Sequence, residues 1–112
     1  MAGLACGEPS ITSWQILKDK VAAFASLPDR VAADGMRVLG APLPGDPRVI
    51  SGESGAAPLG FLYALMRDGE LAPLREKLKL GKDSRVLLFS TEGATDPENY
   101  RKVVWEGACG SR

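Results

Sequence analysis

The stretch 54–68, Ser-Gly-Ala-Ala-Pro-Leu-Gly-Phe-Leu-Tyr-Ala-Leu-Met-Arg-Asp, constrains the fold more than any other part of the chain. At helical period, Ala56, Leu59, Phe61, Leu62, Leu65 and Met66 cover nearly every side, and a helix of that kind has to be largely buried. Pro58 lacks an amide proton and is tolerated only in a first turn, so the predicted start lies near Ser54 or Gly55. The 112 residues allow one small domain with a modest core.

The flanking segments supply the rest. Thr12 or Ser13 can cap a helix running to about residue 26, with Trp14, Leu17, Val21 and Phe24 on one face and Pro28 ending it. Asp29 can cap a second, carrying Val31, Val38 and Leu39 and stopped by Gly40. Residues 42–47, Pro-Leu-Pro-Gly-Asp-Pro, read as a loop too short to separate domains. Residues 48–51 then predict a short strand. Beyond the apolar helix, Leu71, Leu74 and Leu78 mark a short helix stopped by Gly81, and residues 85–89 predict a second strand. Asp96 followed by Pro97 is a strong helix start, and the last helix extends to about Trp105. Strand, helices, strand is the βαβ order, which requires parallel strands. Neither apolar run, Val49-Ile50 or Val86-Leu87-Leu88-Phe89, alternates, as expected where a sheet is covered on both faces. The predicted fold class is therefore α/β: a partial three-layer open parallel sheet with flanking helices, residues 1–112 forming a single piece.

Composition narrows the function. Fourteen basic residues balance fourteen acidic ones, so no electrostatic case exists for nucleic acid or an anionic membrane as partner. No window approaches the roughly 20 apolar residues that span a bilayer. The first ten residues lack the basic and apolar regions of a signal peptide. The chain has no histidine and two distant cysteines, Cys6 and Cys109, which argues against triad hydrolysis, a zinc site or a disulfide framework. A cytoplasmic protein with unpaired thiols is expected.

Both predicted strands run into polar, glycine-bearing loops: Ser51-Gly52-Glu53-Ser54-Gly55 and Ser90-Thr91-Glu92-Gly93. In open α/β sheets ligands sit beyond the carboxyl ends of the strands, so the two loops should share one rim. Each alone is more simply a turn before a capped helix; the pair is more telling. Ser51, Ser54, Ser90 and Thr91 offer hydroxyls, Glu53 and Glu92 carboxylates. With no basic residue in either loop, the rim suits a neutral ring with hydrogen-bonding edges better than a phosphate.

Three stretches, 1–10, 45–56 and 90–107, closely resemble the C-terminal part of the 2,3-diaminopropionate ammonia-lyase family, which belongs to the fold type II, tryptophan synthase β-like pyridoxal-phosphate enzymes. The closing Thr-Asp-Pro-Glu-Asn-Tyr-Arg-Lys-Val-Val-Trp-Glu-Gly is specific to this lyase, while the Ser-Gly-Glu-Ser-Gly-Ala pattern is shared more loosely with threonine dehydratases. The resemblance implies α,β-elimination of diaminopropionate to pyruvate and ammonia. It puts Ser90 on the pyridine nitrogen of pyridoxal phosphate, with Thr91 and Gly93 completing the turn beneath the ring. Glu53 would lie on the ring-edge side, and Gly3 and Leu4 in a loop bordering the cofactor.

The resemblance also implies what is missing. The family's Schiff-base lysine, phosphate cradle and acidic catalytic base lie in segments without counterpart here. Lys18, Lys20, Lys77, Lys79, Lys82 and Lys102 fall on predicted solvated surfaces or turns. Without the lysine amine no covalent catalysis follows, so the isolated chain is expected to be inactive and free of cofactor. A serine or threonine dehydratase-like piece and a non-enzymatic α/β assembly module are the alternatives. A sheet cut from a larger one leaves an exposed edge, which self-association as a homodimer would cover.

Overall fold

The structure, a computed structural model, describes residues 1–110. Its helices are α1 (Ile11–Lys20), α2 (Asp29–Gly40), α3 (Glu53–Arg67), α4 (Ala72–Lys77) and α5 (Pro97–Val104), with 3-10 turns at Ala2–Leu4 and Gly69–Leu71. Among the described residues there is no strand, and the predicted α/β sheet is overturned. The physical reason is the absence of a ladder. Parallel strands need evenly spaced backbone bonds between them. Among the described residues, Gly52 N to Glu92 O, 3.2 Å, is the one backbone bond joining the two loop regions, and Val49 N turns instead to Leu39 O at 3.0 Å. Nor are the apolar runs covered on both faces: Leu87 and Phe89 are 77% and 73% exposed.

The centre of the molecule is the crossing of α2 and α3, its most extensive contact. Glycine makes it possible. A Cβ at Gly35 would strike the Ala56 carbonyl, and one at Gly60 the Val31 carbonyl, so the two backbones pass in direct contact. Each glycine costs a helix interior about 1 kcal/mol relative to alanine, and here that cost is met by the close approach. Ala33, Met36, Ala56 and Val103 form the buried cluster, with Leu39, Tyr100 and Val104 packed against it. Arg37 ties α5 to α2: its Nε and Nη2 donate to the Val103 carbonyl at 3.2 and 3.0 Å, and Nη2 reaches the Ala108 carbonyl at 2.6 Å. A cation is well placed there, at the negative end of a helix.

α3 starts one residue earlier than expected, so Pro58 falls in the second turn rather than the first. It buries its small face, Gly55, Ala56 and Gly60, whereas Phe61 and Leu62 are half-buried and Tyr63 and Met66 exposed. α1 is capped by Ser10, whose hydroxyl accepts from Ser13 N at 3.2 Å, and stops at Lys20, well short of residue 26. No residue of α1 is buried, so nothing tertiary extends it. Phe24 instead folds back on Trp14, ring centroids 5.8 Å apart. α4 ends before Gly81 because Lys79 takes the left-handed conformation, φ 55°. The radius of gyration is 14.8 Å, against about 13 Å for a compact domain of this length. Cys6 and Cys109 are both free and exposed. Among the described residues no helix is long and apolar enough to cross a membrane.

Candidate functional site

Without a sheet, the two glycine-bearing loops still meet, because each leads into a helix packed on α2. Residues 51–54 enter α3, residues 90–96 enter α5, and the contact between them is polar. Ser51 Oγ lies 3.0 Å from Ser90 Oγ and donates to the Glu92 carbonyl at 3.1 Å. The Glu92 carboxylate accepts from Ser54 N at 2.8 Å and from Thr95 Oγ1 at 3.0 Å. The first turn of α3 has free N–H groups and a positive dipole end, so a carboxylate is stabilised there. The Ser54 amide, and after it the Thr95 hydroxyl, hold the Glu92 carboxyl below its usual range. Two glycines leave the space: a Cβ at Gly52 would collide with the Glu92 side chain, and one at Gly55 with both serine hydroxyls.

Glu53, only 9% exposed, works in the same manner. One oxygen accepts from Gly3 N at 3.2 Å and the other from Asn99 Nδ2 at 2.8 Å, joining the N-terminal turn to α5. Ser54 Oγ completes that link by donating to the Gly3 carbonyl at 3.2 Å. Asp96 caps α5 as expected, accepting from Asn99 N at 2.9 Å. Gly3, Glu53, Glu92, Gly93, Asn99 and Tyr100 line a cavity of about 90 Å³, well below the roughly 300 Å³ of a typical ligand pocket.

The structure therefore gathers Gly3, Glu53, Gly93 and, through Ser51, Ser90 on one rim. Thr91 and Leu4 are exposed and do not line the cavity. Gly93 has open space where a side chain would be. Both carboxylates already accept hydrogen bonds at each oxygen, which leaves neither as a free base. Of the two paired serines Ser90 is the exposed one, and the buried Ser51 backs it. Asn99 escaped the sequence reading: it pairs with Glu53 across 46 positions, beyond any local pattern. Glu92, which the sequence leaves equally a solvent-facing turn residue, is the cap of α3. All six lysines are exposed.

No family model matches the chain. Diaminopropionate ammonia-lyase of Escherichia coli strain K12 is 57% identical over 107 residues, which is 96% of this chain and 27% of that enzyme. The chain is homologous to diaminopropionate ammonia-lyase. The ammonia-lyase of Salmonella typhimurium is 51% identical over 108 residues, again 27% of its length. Among solved structures, the E. coli ammonia-lyase in complex with an aminoacrylate-PLP azomethine reaction intermediate superposes with a TM-score of 0.91. That match has 55% identity and covers 98% of this chain and 29% of the other. The same enzyme in complex with D-serine gives 0.91 at 56% identity, covering 97% of this chain and 28% of the other. The chain thus spans about a quarter of the length of the curated relatives it matches.

Proposed function

We propose that this chain is the C-terminal quarter of a pyridoxal-phosphate-dependent diaminopropionate ammonia-lyase, inactive by itself and competent when joined to the remaining length. The observation that carries the reading is the 57% identity along 96% of the chain. The residues present fit the ring-nitrogen end of the cofactor. Ser90 offers a neutral hydroxyl to the outside, held from behind by Ser51 over a glycine that leaves no room for a Cβ. Neither loop contains a base that would repel a ring or claim a phosphate. Bound pyridoxal phosphate supplies the electron sink for α,β-elimination.

Within that scheme Ser90 contacts the pyridine nitrogen without holding it protonated, which suits an elimination where the leaving group takes the electrons. Glu53 does not meet the ring with a free carboxylate; it fixes Gly3 and Asn99, and so the rim. Gly93 leaves an open face, with Thr91 and Leu4 at its exposed border. The substrate is diaminopropionate, an amino acid, and the D-serine complex of the E. coli relative supports a ligand of that class. Exposure of all six lysines supports inactivity of the piece, since none is desolvated as a nucleophilic amine has to be. Two free thiols agree with a reducing cytoplasm, and a homodimer is the assembly proposed for the joined protein, not the cover of the exposed apolar faces of this piece.

The test is a chimera in which this chain replaces the matching quarter of the E. coli enzyme. It is expected to release pyruvate from diaminopropionate, to lose roughly tenfold or more in kcat on Ser90→Ala, and the isolated chain to release none. A folded but inert chimera, or turnover by the isolated chain, would refute the reading.

A further inference from the structure

We propose that Ser51 is a positioning residue: its proton sets the direction of the Ser90 hydroxyl and, through it, the protonation of the cofactor's ring nitrogen. The inference rests on the placement of Ser90 at that nitrogen. Ser51 is fully buried, 0% exposed, so its hydroxyl has no water to turn to. Three oxygens lie within reach: Ser90 Oγ at 3.0 Å, the Glu92 carbonyl at 3.1 Å and the Gly52 carbonyl at 3.2 Å. Both carbonyls already have a backbone donor. Gly52 N gives its proton to Glu92 O at 3.2 Å, and Ala56 N to Gly52 O at 3.1 Å. The Ser51 proton can therefore go to Ser90 without orphaning either carbonyl, and an unpartnered buried carbonyl is the usual obstacle to such a turn.

Two arrangements follow from one proton on each hydroxyl. When Ser51 donates to a carbonyl, it accepts from Ser90, and Ser90 shows a lone pair outward, which matches a protonated ring nitrogen. When Ser51 donates to Ser90, the Ser90 proton points outward and matches an unprotonated nitrogen. The alternative for Ser90, the Glu92 carbonyl at 3.5 Å, is too long to compete. Gly55 keeps the pair together, since a Cβ there would collide with both oxygens. The second arrangement is a donor chain, Ser51 to Ser90 to nitrogen, in which each bond strengthens the next. It favours the unprotonated ring.

The chimera loaded with ring-¹⁵N-labelled pyridoxal phosphate reads this directly, because the ¹⁵N shift follows protonation of the nitrogen whether or not the enzyme turns over. Ser51→Ala is expected to lower the titration midpoint by about half a pH unit, because the Ser90 proton is left with no acceptor but the nitrogen, whereas Ser90→Ala removes the outward donor and is expected to raise it by about one unit. Ser51→Cys keeps most of the volume while offering only a weak donor and acceptor, so it should shift the midpoint nearly as far as Ser51→Ala. It also covers the case in which the alanine variant does not fold. A midpoint restored by Ser51→Cys would show that volume acts and not the proton, overturning the inference. No shift in either Ser51 variant, with Ser90→Ala displaced, would overturn it alone. No shift in Ser90→Ala would remove the placement of Ser90 on which it stands.

Discussion

The α2–α3 crossing and the segments at 11–24 and 86–89 all carry apolar side chains, and their fates are opposite. At the crossing, glycine and alanine let two helices touch backbone to backbone, and Met36, Ala56 and Leu65 are buried within it. Along α1 and the run before Ser90, larger side chains, Ile11, Trp14, Leu87 and Phe89, stay exposed. The buried centre combines glycine and alanine with a few larger side chains, Met36, Leu65 and Val103, and most of the large apolar residues lie outside it. Exposed apolar side chains scattered singly are ordinary, but contiguous ones mark a surface that something covers. On the proposed reading, the cover is the remaining length of the ammonia-lyase, of which this chain matches 27%.

The sharpest way to break the comparison is at the crossing. Gly60→Val places a branched side chain against the Val31 carbonyl, and overpacking of that kind should cost about 3 kcal/mol. Urea denaturation followed by circular dichroism measures it; a loss under about 1 kcal/mol would mean that the helices are free to separate.

How much of this was legible in the sequence divides along the same line. The Asp96 cap of α5 is local and the apolar periodicity of residues 54–68 marks α3, so both could be read from a few residues. The strands could not, since an apolar run reports burial while a strand needs a neighbour with which to exchange backbone bonds. Leu87 and Phe89 have neither cover nor ladder here. The meeting of the two loops was anticipated from a βαβ argument whose sheet is absent; the helices that follow them, packed on α2, bring them together instead. The carboxylates were legible as polar groups on a rim, yet not as clamps. Their partners Gly3 and Asn99 for Glu53, and Ser54 for Glu92, lie 38 to 50 positions away.

Glu92→Ala is a milder test, confined to the contact between the loops. Loss of its bond to the first turn of α3 should cost about 1 kcal/mol, as for other N-terminal caps. The pH dependence has a definite sign. The carboxyl lies below its usual range when folded, so the charged form stabilises in full above about pH 4.3. That contribution is lost as pH falls through the depressed value. The gap between parent and variant should be widest near neutrality and close in acid; a gap that widens in acid would contradict the assignment of Glu92 as a charged cap.

The smallest effect belongs to the open side. Phe89→Ser should alter the stability of this chain by no more than about 0.5 kcal/mol, since the ring is already in water. In the chimera the same change should cost about 3 kcal/mol, the usual cost of deleting a buried ring. Equal costs in the two settings would mean that Phe89 has no cover to gain.

Hydrogen–deuterium exchange, followed by peptide for the isolated chain and for the chimera, tests the account most directly. The account predicts that amides of α2 and α3 are protected in both, and that residues 11–20 and 85–90 exchange freely in the isolated chain and become protected only in the chimera. Protection of 11–20 and 85–90 already in the isolated chain, rising with its concentration, would contradict the account and make a second copy of this chain the cover.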